Sequence, residues 1–116
     1  MGCLFCNIVA KTTQAQVVFE NEHALAFRDI RPVAPTHVLV IPKKHIGGVH
    51  DATAEDAAVL GQVLLAAREV AEKLGLASGG YRLVINQGAD AGQTVFHVHC
   101  HVIGGRQMGW PPFPPG

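Results

Sequence analysis

His97-Val98-His99-Cys100-His101-Val102-Ile103 decides how the rest of the chain is read. Three imidazoles alternate there with apolar residues. In a β-strand, residues i, i+2 and i+4 point to one face. The period therefore predicts a strand with His97, His99 and His101 in a row, and Val98, Cys100 and Val102 turned toward a core. Such a row is hard to obtain from structural needs alone. Two chemistries use one. The first is a metal site with converging imidazoles. The second is nucleophilic catalysis, in which one ring attacks while its neighbours hold substrate oxygens. The flanks favour the second. Asn86 ends the preceding apolar run, and a Gly88-to-Gly92 loop leads into Gln93 and Thr94. Amide and hydroxyl donors thus stand beside the row, as a phosphoryl oxygen requires. The only carboxylate nearby is Asp90.

Working outward, Thr94 to Ile103 is predicted as the histidine strand, stopped by Gly104-Gly105, and Tyr81 to Asn86 as the strand before it. One long helix is predicted from Ala54 to Leu74. Thr53 and Asp56 have capping-box spacing. Leu60, Leu64, Ala67, Ala71 and Leu74 recur at helical period as a buried stripe, and Gly75 is a ready left-handed stop. Upstream, Gln16 to Glu20 and Ala24 to Asp29 form a hairpin around Asn21-Glu22-His23. His37 to Ile41 is a third strand closed by Pro42. Leu4 to Lys11 forms a short helix with Phe5 and Ile8 on one side. The fold class is α+β: a five-stranded, largely antiparallel sheet, one long covering helix and a short N-terminal helix. The 116 residues fit one domain, residues 1–105. Residues 106–116 form an extended proline-rich tail. Open sheet edges favour pairing with a second copy.

Nine basic residues balance nine acidic ones, giving a formal charge of zero. Such a chain has no field to hold a nucleic-acid backbone or an anionic membrane. No apolar run is long enough to span a bilayer, and the first residues lack the charged and apolar regions of a secretory signal. Three cysteines, an odd and small number, argue against a disulfide framework and for a reducing cytoplasm. Cys3-x-x-Cys6 is a two-ligand spacing, weak by itself; two free thiols or a redox pair are the alternatives. Lys43-Lys44, His23 and His50 read as solvated surface.

The His-Val-His-Cys-His-Val run resembles the motif of the histidine-triad superfamily of nucleotide hydrolases and transferases. Phe27-Arg28-Asp29-Ile30, Ala34 to Ile46, Tyr81 to Asn86, Gly92 to Phe96 and Ile103 to Pro112 are similar to its nucleotide-binding-protein branch. The dinucleoside-polyphosphate-cleaving branch usually has proline-arginine where this chain has Gly104-Gly105-Arg106. The resemblance implies a homodimeric purine nucleoside phosphoramidase acting on AMP phosphoramidates and aminoacyl-adenylates. It implies His99 as nucleophile and Thr94 at the leaving nitrogen. His101, Gln93 and Asn86 would hold phosphate and ribose oxygens, with Gly92 in the same loop. Asp29 would accept from the ribose hydroxyls. Leu4, Phe5, Ile8, Phe27 and Ile30 would form the base slot, and a buried His37 would support the triad. It further implies a structural zinc on Cys3, Cys6, His45 and His97, not required for catalysis, and a tail reaching the dimer partner's site. Two alternatives share these residues: a dinucleoside polyphosphate hydrolase or nucleotidyltransferase, and a nucleotide-binding interaction protein with incidental turnover.

Overall fold

Short apolar runs on either side of one long helix build a sheet of five strands. The computed structural model describes residues 2–113; Met1 and residues 114–116, the end of the tail, lie outside the described residues. In chain order the elements are α1 (Leu4–Val9), β1 (Val17–Glu20), β2 (Ala24–Arg28), β3 (Thr36–Pro42), α2 (Ala57–Lys73), β4 (Tyr81–Val84) and β5 (Cys100–Gly104). Every neighbouring pair is antiparallel, in the order β1-β2-β3-β5-β4. The sheet thus places β5 centrally, between β3 and the edge strand β4. The expected class, with its long helix and short N-terminal helix, is the observed one.

Each face of the sheet has its own apolar layer. Ala24 and Ala26 of β2, Val38 and Val40 of β3, and Cys100 and Val102 of β5 pack beneath α2. Leu25, Phe27, Leu39 and Ile41 face the other way and are covered by Phe5 and Ile8 of α1. Of the expected α2 stripe, Ala67 and Ala71 are buried and Leu74 packs against the same core, but Leu64 lies outside it. Val63, Ala66, Ala67, Val70 and Ala71 are buried, whereas Leu64 and Leu65 are about half exposed. Two overlapping apolar stripes run along this helix. Small and β-branched residues fit closely over the alanines and valines of the sheet, leaving the bulkier leucines outside. Burying a valine such as Val63 or Val70 contributes about 1.5–3 kcal/mol.

The long helix also starts later than expected. Ala54–Asp56 is a 3-10 turn, and the α-helix begins at Ala57. The Asp56 carboxylate accepts from the Thr53 backbone N–H at 3.0 Å. The other end closes as a Schellman motif. Gly75 has φ +77°, its N–H reaches Glu72 O, and the Leu76 N–H reaches Ala71 O. Leu76 then packs on β5, where a Cβ on Gly104 would meet its methyl carbons at 2.9 Å.

The expected strand from Thr94 to Ile103 is corrected: the ladder holds only from Cys100. Val40 pairs with Cys100, so the next antiparallel steps would set Val98 against Pro42. Proline has no N–H to give. Val98 instead donates to Ile46 O at 2.7 Å, and His97 and His99 stand on irregular backbone. The in-out alternation survives without the ladder, because Val98, Cys100 and Val102 are all buried. Likewise β4 stops at Val84, short of Asn86. Among the described residues, no helix is long and apolar enough to cross a membrane.

Candidate active site

Where the β3–β5 ladder ends, the freed backbone groups orient the histidines. The His97 ring is fully buried, and its Nε2–H donates to the Pro42 carbonyl at 2.8 Å. Its lone pair therefore sits on Nδ1. That atom lies 3.3 Å from Cys3 Sγ, 3.5 Å from Cys6 Sγ and 3.2 Å from His45 Nδ1. Cys6 Sγ is 3.2 Å from His45 Nδ1, and all four donor atoms fall within 4.8 Å of one another. A tetrahedral zinc with ordinary bond lengths would set sulfur and nitrogen ligands about 3.6 Å apart. The donor set fits such an ion in chemistry and spacing. Burial holds the His97 ring below its ordinary pKa, in the neutral form a metal needs. Burial and the neighbouring Cys3 push the Cys6 thiol up, a crowding that a bound cation would relieve.

His99 follows two residues on. Its Nδ1–H donates to the His97 carbonyl at 2.8 Å, which leaves the lone pair on Nε2. The ring is almost buried. The Phe5 ring meets it edge-on at 5.1 Å, and the His101 ring lies at the same distance on the other side. His101 lies on β5 opposite Leu39 and Val84. Its Nδ1 is 2.8 Å from Nε2 of the buried His37. Val33 N–H donates to His37 Nδ1 at 3.1 Å, so His37 carries its proton on Nε2 and gives it toward His101. His101 then accepts at Nδ1 and keeps its own proton on Nε2. Burial, with His99 and His37 beside it, lowers the His101 pKa to about 4, against a smaller opposing pull from Asp29. The ring is neutral at pH 7 and can only donate from Nε2. One imidazole with a free lone pair thus stands beside one with a free N–H.

The residues expected to hold a nucleotide are distributed unevenly. Phe5, Ile8 and Phe27 pack together, with the Phe5 and Phe27 rings 5.4 Å apart. Leu4 is half exposed, and Ile30 stands in solvent at 91% exposure. Asp29 is half-buried. Its Oδ1 accepts from the Arg31 N–H at 2.8 Å, and its Oδ2 lies 3.3 Å from His37 Nε2. Gly92 takes a left-handed conformation that turns the loop back toward the histidines. Gln93 is buried and spends its side chain inside the loop. Its oxygen accepts from Gly88 N–H, and its nitrogen donates to the Gly47 and Val95 carbonyls. Thr94 is exposed at the loop's end, and Asn86 is half-buried.

Sequence reasoning did not single out Arg82. It lies on β4 and donates to Gly109 O at 2.9 Å, and its guanidinium sits 6.0 Å from the centre of the Trp110 ring. Arg82, Val84, Asn86, Ile103 and Trp110 line a groove of about 1340 Å³ that opens beside His101. A charged residue within a short strand carries no motif. Nor does the Pro42 carbonyl or the Val33 N–H, the backbone groups that set two of the tautomers.

The HIT domain family matches residues 10–108, a span that holds all three histidines of the triad but not Cys3 or Cys6. An uncharacterized HIT-like protein of Synechocystis sp. is 50% identical over 109 residues, 94% of this chain and 95% of that protein. The crystal structure of a HIT family hydrolase from Legionella pneumophila superposes with a TM-score of 0.94. It is 51% identical, over 97% of this chain and all of that one. A HIT family hydrolase from Clostridium thermocellum gives 0.90 at 46% identity, over 93% of this chain and 94% of that one.

Proposed function

Since the chain belongs to the HIT domain family, we propose that it is a hydrolase of purine nucleoside 5'-phosphoramidates, cleaving the P–N bond of AMP derivatives and acting on aminoacyl-adenylates. The observation that carries this is the hydrogen bond from His99 Nδ1 to the His97 carbonyl, which leaves Nε2 with a lone pair. Nε2 attacks the α-phosphorus, the P–N bond breaks, and the departing nitrogen takes a proton from solvent relayed through the exposed Thr94 hydroxyl. His101 donates from Nε2 to a phosphoryl oxygen as charge builds there. Water then attacks the same phosphorus, the P–Nε2 bond breaks, and the nucleoside monophosphate leaves. Asp29 receives the ribose hydroxyls, Phe5, Ile8 and Phe27 with Leu4 and Ile30 flank the base, and Asn86 with the Gly92-Gln93 turn borders the phosphate.

Zinc is the proposed occupant of Cys3, Cys6, His45 and His97. Two thiolates and two imidazoles close its coordination shell, so it supports structure and takes no part in the reaction. A homodimer is proposed on two features: the edge strand β4, and the exposed Leu64, Leu65, Leu83 and Ile85. In it the tail from Arg106 onward lines the partner's site. The experiment is a steady-state comparison of adenosine 5'-phosphoramidate with a dinucleoside tetraphosphate. Faster turnover of the P–N substrate supports the proposal. Preference for the tetraphosphate refutes it in favour of a polyphosphate hydrolase.

A further inference from the structure

The Cys/His cluster and the base slot are built on the same two pieces of chain. Helix α1 is one. It has six residues, far below the length that holds itself helical in water. Cys3 caps it, the Cys6 N–H donating to Cys3 Sγ at 3.2 Å, so both thiols belong to its first turn. Phe5 stands between them in sequence and presses its ring on Phe27 and His99. His97 is the other piece. Its ring points into the cluster, while its carbonyl holds the His99 ring. Whatever fixes Cys3, Cys6 and His97 therefore fixes one wall of the slot and the attacking imidazole together.

We propose that the Cys3–Cys6–His45–His97 cluster is a positioning device for the nucleotide site, so that a divalent metal and a purine nucleotide bind cooperatively. This rests on reading the slot as a nucleotide site. With a metal in place, α1 and the His97 backbone are held before the nucleotide arrives. Without it, the two thiols and two imidazoles within 4.8 Å of one another are joined only by thiol–imidazole hydrogen bonds of 3.2–3.5 Å. The packing of Phe5 and Ile8 then holds α1 less firmly, and the nucleotide binds more weakly by the remaining ordering cost. Linkage demands the converse: the nucleotide raises metal affinity by the same factor. A cluster that merely stabilised the fold would shift the melting temperature and leave nucleotide affinity alone.

The test is calorimetric titration of AMP into zinc-loaded and chelator-treated protein, paired with competition for zinc against a chromophoric chelator, with and without AMP. Both affinities are expected to shift by one factor, at least about fivefold. Phe5→Leu should bind zinc normally without AMP and lose most of that factor. Equal AMP affinity in both forms of folded protein overturns the coupling alone. Absence of AMP binding in both forms overturns the nucleotide reading and the coupling with it. If chelated protein loses its far-UV helical signal, His45→Gln decides the matter, because His45 is exposed and its ring meets His97 and Cys6. That variant keeps three of the four ligands, and its AMP affinity should rise with zinc occupancy followed by metal analysis; unchanged affinity at full occupancy overturns the proposal.

Discussion

Acid should weaken the fold through His101 in a defined window. An ordinary imidazole titrates near 6.5, and this one titrates at about 4. Between those values the unfolded chain binds a proton that the folded chain refuses. Stability therefore falls as pH drops from about 6.5 to about 4, and this contribution is lost in full below the lower value. At about 1.4 kcal/mol per pH unit, the interval sets a ceiling of about 3.5 kcal/mol. Because the ring is partly open to solvent, about 2 kcal/mol is the expected size. His101→Asn removes the titrating group and keeps a side chain able to hydrogen-bond. Urea unfolding of both proteins should be followed from about pH 7.5 to about pH 4, with the slope m checked for constancy. The wild type should lose about 2 kcal/mol more than the variant across the window. The His97 ring, also held low by burial, is present in both proteins and cancels. Parallel stability curves would refute the reading that His101 is buried as a neutral donor.

Protein purified without a polyhistidine tag should contain about one zinc per chain by metal analysis, and chelation should lower its melting temperature and its nucleotide affinity while changing turnover at saturating substrate much less. Gly104→Ala should cost about 1–3 kcal/mol in urea unfolding, because the new methyl collides with Leu76 in a packed contact. A cost near zero would mean that Leu76 gives way freely. Arg82→Leu and deletion of residues 107–116 should both slow bulky amine leaving groups more than ammonia, since Arg82 ties down the tail at Gly109 and Trp110. An unchanged leaving-group series in both would remove the tail from the site.

Much of this fold could be read from period alone. The short apolar runs of β2 and β3, the alternation in β5 and the caps around α2 are local signals, and local signals survive folding. The α2 face was harder. Leu60 and Leu64 extend the Ala67, Ala71 and Leu74 line as well as Val63, Ala66 and Val70 do, and only the small side chains of the sheet beneath decide between them. The start of β5 was illegible for a related reason. Its ladder ends because Pro42, far away in sequence, comes to lie opposite Val98. At the site, His97, His99 and His101 stood out by residue type and spacing, and His37 only through the family resemblance. Their protonation did not, being set by backbone groups at Pro42, His97 and Val33 that any residue could supply. Gln93 shows the opposite limit. Its side chain suits a phosphate oxygen, yet its hydrogen bonds are committed to Gly88, Gly47 and Val95.

The role of His99 as nucleophile is tested most directly by trapping the covalent species. Wild-type protein and His99→Ala would be mixed with adenosine 5'-phosphoramidate, quenched within the first turnovers under conditions that preserve phosphohistidine bonds, and digested for mass spectrometry. The wild type should yield an acid-labile adenylyl group on the peptide carrying His99, formed and consumed at rates that match turnover. His99→Ala should fold, yield no adduct and release no AMP. Turnover by His99→Ala at the wild-type rate, or an adduct on another residue, would contradict the assignment.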